Sequence, residues 1–210
     1  MDGVIFDLKH SYDYYNAIMN YCRITPPEVK TNYIDIPGSD SSIDITESIS
    51  GIRMSDGEIN FKFTFLNGVE DARKMINDLH GKRKTITLDS DIRFEMDGRI
   101  TITRAEIEKN YYVVEAVAKV KPYKTEKLLT IHEENVDGKK EIILNNTRKP
   151  VVPIITVEGN INLLFDNVKY KLINGTYQIP EITMYDGINR FIVYGNGKIR
   201  FEYKKGEIIC

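Results

Sequence analysis

Short runs in which apolar and polar residues alternate dominate the chain, and this alternation predicts half-buried β-strands. In the run from Ile59 to Phe65, isoleucine and three phenylalanines share one face, while asparagine, lysine and threonine share the other. The same pattern predicts further strands at Ile100 to Thr103, Tyr111 to Val120, Val168 to Ile173 and Ile199 to Tyr203. Aromatic and β-branched residues suit such pleated surfaces.

Turn-forming pairs separate many of these runs. Asn and Asp followed by glycine tolerate positive φ and are typical of tight hairpin turns. Four pairs predict such hairpins: Asp97-Gly98, Asp137-Gly138, Asn174-Gly175 and Asn196-Gly197. The alternating runs and the turn pairs between them predict about eight strands and no helix in the chain beyond Leu128. Frequent turns with little helical periodicity favour antiparallel sandwiches or barrels.

One segment has helical periodicity instead. Between Val69 and Leu79, apolar residues recur at the spacing of one helix face, and acidic residues occupy the first turn. Gly81 follows where a C′ glycine belongs, and His80 is interpreted as a cation near the helix C-terminus. This pattern predicts one α-helix. Residues Tyr12 to Tyr21 are a candidate for a second, shorter helix.

Composition changes this picture little. The chain has 210 residues, a formal net charge of −2 and two cysteines, which are expected to be free thiols. The near-neutral charge argues against nucleic-acid and membrane partners. No apolar run approaches the ~20 residues of a membrane-spanning helix. The first ten residues lack the apolar core of a signal peptide, so synthesis in the cytoplasm is expected.

The lysine-rich segment after Pro122 predicts a domain boundary. It follows the long strand that ends at Val120, and beyond it the helical pattern is absent. We therefore predict two domains, residues 1–126 and residues 127–210.

No motif announces catalysis or metal binding. His10, His80 and His132 are far apart in the sequence and lack paired-ligand spacing. Asp89-Ser90-Asp91 begins like a calcium loop but lacks the glycine at the sixth position, so it is interpreted as a polar turn. No nucleophile or phosphate-binding motif occurs. We expect no enzyme activity, no cofactor and no metal.

Two polar clusters remain as candidate interface residues. The segment Thr31 to Gly51 begins like a strand, breaks at a proline-glycine pair and returns to alternation at Ile43. Its candidate residues are Pro37, Gly38, Ser39, Asp40 and Ser41. The second cluster is basic and precedes the strand Thr85 to Leu88: Lys82, Arg83 and Lys84. A solvated turn, a charge contact with a neighbouring subunit and a phosphate or nucleic-acid site are the alternatives for it.

The order of features in the N-terminal part resembles a known family. A segment Tyr33 to Gly38 leads through an acidic Ser/Asp turn to Asp44 to Glu47, then to an aromatic strand at Glu58 to Phe65. The helix Val69 to Leu79 and the strand Thr85 to Asp89 follow. This order, over about residues 30–120, resembles the distal tail protein (Dit) of long-tailed phages and phage-tail-like particles.

The C-terminal part resembles the galectin-like β-sandwich that commonly follows in that family. The cues are Asn145-Asn146 and Pro150, the run Pro153 to Val157, the tripeptide Gly187-Ile188-Asn189, and a closing hairpin from Phe191 to Phe201. The expected fold is therefore mainly β: an N-terminal antiparallel β-sandwich or barrel with one α-helix, followed by a galectin-like β-sandwich.

The resemblance implies a structural role. The family forms a ring, usually a homohexamer, that joins the tail tube to tail-tip and receptor-binding proteins. It implies a place at the tail tip of a virion or a phage-tail-like particle, with the N-terminal domains forming the ring. The Pro37 to Ser41 loop is then expected to face a neighbouring subunit or the tube. A carbohydrate-binding module on a tail tip is the alternative, weakened by the absence of tryptophan. A hydrolase would need clustered ionisable residues in a cleft.

Overall fold

The structure, a computed structural model, describes residues 2–48, 52–66, 68–108 and 110–210. The end of the polar segment singled out above, Ile49 to Gly51, lies outside these residues. The chain divides into two compact units: residues 1–124 together with 208–210, and residues 125–207. The assignment of a ring-forming role to domain 1–126 and of a galectin-like β-sandwich to domain 127–210 stays a prediction.

The helices and strands of the N-terminal half have the following bounds: β1 Val4–Phe6, β2 Lys9–His10, α1 Ser11–Tyr15, β3 Ala17–Thr25, β4 Tyr33–Ile34, β5 Ile43–Asp44, β6 Gly57–Phe65, α2 Val69–Leu79, β7 Arg83–Leu88, a 3₁₀ turn Asp89–Asp91, β8 Phe94–Glu108 and β9 Tyr111–Val120. The remaining strands are β10 Tyr123–Glu126, β11 Thr130–Asn146, β12 Ile154–Phe165, β13 Val168–Leu172, β14 Gly175–Tyr177, β15 Gly187–Tyr203 and β16 Gly206–Ile208.

The first unit is built on an antiparallel sheet with the strand order β2-β1-β7-β8-β9-β6-β3. Burial alternates along β6, so that the aromatic face predicted from sequence packs inward. Phe6 of β1 meets Phe61 and Phe63 edge to face, with ring centroids 5.8 and 6.4 Å away. Helix α2 has the predicted bounds and covers this core with Ala72, Met75 and Leu79, all fully buried.

The candidate helix over Tyr12 to Tyr21 is wrong beyond its first turn. Helix α1 ends at Tyr15, because Asn16 adopts the left-handed conformation, with φ of 54°, and its N–H group bonds back to the helix. Ala17 then begins β3, which pairs with β6 from Ala17↔Phe65 onward. The hydrogen bonds available along β6 outweigh the weak helical preference of this tyrosine-rich segment.

The predicted hairpins are also wrong. Three of the four pairs lie inside continuous strands: Asp97-Gly98 in β8, Asp137-Gly138 in β11 and Asn196-Gly197 in β15. Asn174-Gly175 separates β13 from β14, but both of these strands pair with β12, so the pair interrupts one edge and forms no hairpin. The second unit consequently has fewer and longer strands than predicted.

Glycines in the second unit allow the long strands to bend. Its sheet has the order β11-β15-β12-β13, with β14 also on β12. Gly138 pairs with Gly195, and Gly159 with Gly197, so the glycines follow one line across three strands. Each occupies an inward-facing position in the alternation. A Cβ atom on Gly195 would lie 2.1 Å from the carbonyl oxygen of Asn160, so only glycine permits this approach.

The line of glycines folds the single sheet over one core. Inward-facing residues before and after the bend belong to the same apolar cluster, including Phe165, Phe191 and Phe201. The expectation of a mainly β, antiparallel fold is confirmed.

Candidate assembly interface

Between β3 and β6 the described chain forms a two-stranded ribbon, and we call its residues 26–48 and 52–56 the arm. Backbone hydrogen bonds join its two sides: Lys30 N–H donates to the Arg53 carbonyl at 2.8 Å, and Ser55 N–H to the Glu28 carbonyl at 2.9 Å. Strands β4 and β5 continue this pairing farther out. The candidate residues Pro37 to Ser41 therefore lie at the end of a ribbon whose base continues the main sheet.

The predicted break at the tip is a tight turn. Ser39 N–H donates to the Ile36 carbonyl at 3.1 Å, and Gly38 has a φ of 84°. Proline followed by a positive-φ glycine is the pattern of a type II turn. Beyond it, the hydroxyl of Ser39 accepts from the N–H of Ser41 at 3.3 Å. These local hydrogen bonds give the loop a defined shape without support from a core.

One face of the arm is apolar and has no layer over it in the described chain. Ile34 of β4 lies directly opposite Ile43 of β5, and Ile36 follows on the same side. The exposed fractions of these side chains are 51% for Ile34, 51% for Ile43 and 42% for Ile36. No described arm residue belongs to either apolar core. An isolated two-stranded hairpin is marginally stable in water, and burial of this apolar face against another surface would stabilise the arm.

The basic cluster lies on a different element, at the start of β7, and carboxylates of the same chain surround it. Arg83 makes a bidentate ion pair with Asp97, at 2.6 and 2.7 Å. Lys84 Nζ lies 3.0 Å from Asp7 and 3.4 Å from Asp78, and its side chain is only 10% exposed. Lys82 and Arg83 are the members of the cluster that reach the surface.

Asp78 of α2 is the centre of this polar network. Its carboxylate accepts from Lys9 Nζ at 2.6 Å and from the Tyr15 hydroxyl at 2.5 Å, and it faces Lys84. Burial alone would raise the pKa of Asp78, but the hydrogen bonds from Lys9 and Tyr15 and the charge of Lys84 hold it well below its ordinary value. Burial, together with the bond to Asp78, raises the pKa of the Tyr15 hydroxyl.

No local sequence motif marks Asp78 as the centre of this network, and it is absent from the residues predicted from sequence. Its partners come from β2, from α1 and from β7, which are separated by up to 75 residues in sequence (Lys9 to Lys84). The spacing within α2 places Asp78 near the end of the helix. It does not indicate that β2, α1 and β7 lie close to that end. Only the sheet register brings them together.

Two of the three histidines, His10 and His80, make structural hydrogen bonds. His10 Nε2 lies 2.9 Å from Asp89 Oδ2, and His10 Nδ1 accepts from the backbone N–H groups of Tyr12 and Asp13 at the start of α1. A histidine–carboxylate pair also occurs in catalytic triads, where the second ring nitrogen faces a nucleophile. Here that nitrogen caps a helix. His80 Nδ1 accepts from Ile102 N–H at 3.0 Å, which requires an unprotonated nitrogen, so its interpretation as a helix-end cation is wrong.

The described residues contain no cluster of three or more His, Cys, Asp or Glu side chains that could hold a metal ion. Within the same residues, no helix has the length and apolar character needed to cross a membrane. The 3₁₀ turn at Asp89–Asp91, which begins like a calcium loop in sequence, carries Asp91 in an ion pair with Lys124 at 2.7 Å.

No family model matches the chain, and no curated protein matches it. Among solved structures, the chain is similar to the crystal structure of the Dit protein (gp 19.1) of SPP1, described as a paradigm of the hub adsorption apparatus in phages that infect Gram-positive bacteria. The TM-score is 0.69 at 14% sequence identity, over 97% of this chain and 99% of that one. The chain therefore has the fold of a Dit protein, as the sequence resemblance predicts.

Proposed function

We propose that the protein is a structural hub of the tail tip of a phage or a phage-tail-like particle. The observation that carries the proposal is the likeness in fold to the SPP1 hub protein over nearly the whole of both chains. In this role it forms a ring, taken as a homohexamer, that joins the tail tube to tail-tip and receptor-binding proteins. It is made in the host cytoplasm and has neither catalysis nor a cofactor.

The arm supports assembly into a ring. Ile34, Ile36 and Ile43 form an apolar face that stays exposed on a single chain. In a closed ring every subunit has a neighbour on each side, so every arm has a surface against which to bury that face. Closure also covers strand edges that would otherwise be free to pair indiscriminately. The net charge of −2 suits such protein partners better than nucleic acid.

The second unit is proposed to project from the ring as a galectin-like sandwich and to contact the tip proteins. Carbohydrate binding by this unit is the second candidate, because two tyrosines are exposed on it, Tyr185 at 61% and Tyr194 at 36%. Exposed aromatic faces can stack on sugars. The fold alone does not decide between these roles.

The mass of the purified full chain tests the proposal. Light scattering over a concentration series, with negative-stain microscopy of the largest species, is expected to show closed rings of about six subunits. A protein that stays monomeric up to millimolar concentration, also when mixed with its tail tube protein, would contradict the hub role. Glycan-array binding by the second unit, with no ring, would favour the carbohydrate-binding alternative.

A further inference from the structure

The two ends of strand β7 differ in charge. Lys82-Arg83-Lys84 lies at its start, and Asp89-Ser90-Asp91 follows its end. Strand β1 runs beside it, with Val4 paired to Leu88 and Phe6 to Ile86. The basic and acidic ends are thus held about 17 Å apart by rigid sheet, from Lys84 to Asp89 at ~3.3 Å per residue.

A highly exposed apolar side chain lies at the basic end. Leu8 forms the turn between β1 and β2 and is 96% exposed. The turn is held in place, because Asp7 N–H donates to the Thr85 carbonyl at 2.7 Å and Thr85 N–H donates to the Asp7 carboxylate at 3.0 Å. Asp7 has a φ of 57°, as tight turns require. Leu8 is therefore a fixed knob and not part of a mobile loop.

The acidic end carries a small apolar pocket. It has a volume of about 80 Å³, and Leu88, Phe94 and Met96 supply its apolar walls. Asp91 and Lys124 line it as an ion pair, 2.7 Å apart. An apolar cavity of roughly 150 Å³ accommodates benzene, so a pocket about half that size suits a branched four-carbon side chain. Cys210, which is a free and exposed cysteine, also lines the pocket.

We propose that Leu8 of one copy of the chain inserts into this pocket of the next copy. The proposal rests on the proposed hub ring and names a contact that builds it. Leu8 and the pocket lie at opposite ends of β7. Each copy can therefore insert its Leu8 into one neighbour and accept the Leu8 of the other neighbour in its own pocket. Such a head-to-tail contact repeats around an axis and closes into a ring, whereas a knob cannot complement itself across a two-fold axis.

The charges around knob and pocket have opposite sign. At the basic end, four cations face three carboxylates: Lys9, Lys82, Arg83 and Lys84 against Asp7, Asp78 and Asp97. Around the pocket, segment 89–95 contributes three carboxylates and one arginine, and Lys124 adds one cation. A net positive rim thus meets a net negative rim, which favours the next copy over a like-charged surface.

A disulfide cross-link tests the contact directly, because the pocket already contains a thiol. The variant Leu8→Cys, oxidised at dilute concentration in the assembled full-length protein, is expected to form a ladder of covalent oligomers whose last band has the mass of the ring. The double variant Leu8→Cys, Cys210→Ser should give no ladder. Leu128→Cys is a matched control, because this leucine is also exposed but belongs to the second unit.

A mixing experiment tests the head-to-tail sense. Leu8→Glu removes the knob and Ser90→Trp closes the pocket mouth, and each is expected to weaken self-association about 30-fold or more, as for loss of a buried anchor. Neither change touches the core. Mixed together, the two variants retain one intact knob and one intact pocket, so they should form pairs and no larger species.

Each other result overturns the contact in a recognisable way. If the wild-type chain forms rings while Leu8→Glu rings persist and Leu8→Cys gives no ladder, the contact is wrong and the hub role stands. If Cys210 cross-links to a cysteine at Ile36 instead, the arm fills the pocket. Full rings from the mixed variants would exclude the head-to-tail arrangement. A wild-type chain that is always monomeric would overturn both the contact and the proposed function.

Discussion

Phe191 and Phe201 belong to the same strand, ten residues apart, and their ring centroids lie 4.9 Å from each other. In a straight strand that separation would be about 33 Å. Gly195 and Gly197, with φ of 135° and 151°, lie between them and allow the strand to fold back. One strand thus supplies both walls of the core in the second unit, where Phe165 stacks on Phe191 at 4.8 Å.

Replacing Gly195 should therefore destabilise the second unit strongly. In Gly195→Ala, the new Cβ would lie 2.1 Å from the Asn160 carbonyl oxygen and the residue would have to adopt a strained φ. We expect a loss of about 3 kcal/mol or more in the free energy of unfolding, measured by urea titration. Gly138→Ala is the matched control, because Gly138 has a φ of 79° but no atom within 4 Å of a new Cβ. It should cost about 1 kcal/mol. Equal losses would show that close packing at the bend is unimportant.

Removing the apolar face of the arm should abolish ring formation while the fold survives. The double variant Ile34→Ser, Ile43→Ser deletes two side chains that are about half exposed in the single chain. Each isoleucine buried in an interface contributes about 1.5–3 kcal/mol, so self-association should weaken by a factor of about 100 or more. Light scattering measures the association, and thermal unfolding should change little. Ile143→Ser, similarly exposed on β11, is the control. Intact rings in the double variant would exclude the arm from the interface.

The network around Asp78 should make the protein sensitive to acid. The pKa of Asp78 is lowered from 3.8 in the folded chain, so its carboxylate stabilises the fold fully above about pH 3.8. As pH falls below that value, the unfolded chain binds the proton first, and stability is lost until the folded pKa is passed.

The variant Asp78→Asn checks this prediction. It should lower the free energy of unfolding at pH 7 by about 2 kcal/mol, because it removes the charge partner of Lys9 and of the largely buried Lys84. It should also flatten the loss of stability between pH 4 and pH 2 in a series of thermal unfolding curves. Asp40→Asn, at the exposed arm tip, should leave both unchanged. If the loss of stability between pH 4 and pH 2 is as steep in Asp78→Asn as in the wild type, Asp78 is not the source of the acid sensitivity.

The two thiols should react at very different rates. Burial raises the pKa of Cys22 to about 11, whereas Cys210 is exposed. The thiolate is the reactive form, so Cys22 should label slowly at pH 8 and faster as pH approaches 11 or when the chain unfolds. A chromogenic disulfide reagent should show one fast and one slow phase, and Cys210→Ser should remove the fast one. Two equally fast phases would mean that β3 does not shield Cys22.

Local periodicity sufficed for elements whose burial follows one face. The strand at Ile59 to Phe65, the strand at Tyr111 to Val120 and the helix Val69 to Leu79 were predictable, because alternation and helical spacing record which side meets the core. The order of these elements also carried the resemblance to the Dit family, whose fold the structure shows. The Pro37-Gly38 turn was readable for the same local reason, since proline and a positive-φ glycine define it.

The sequence by itself therefore determined the mainly β class, the central helix and the tip of the arm. Tertiary structure alone decided whether an Asn-Gly or Asp-Gly pair ends a strand or lies within a continuous one. A glycine with positive φ is compatible with a hairpin turn and with a bend inside a strand, and the outcome depends on pairing with strands far away in sequence. Tertiary structure also decided that Lys84 is paired inside the chain, that Asp78 joins three elements, and that Leu8 and the Leu88 pocket lie at opposite ends of β7. Those relationships come from the register of the sheet, which no local pattern records.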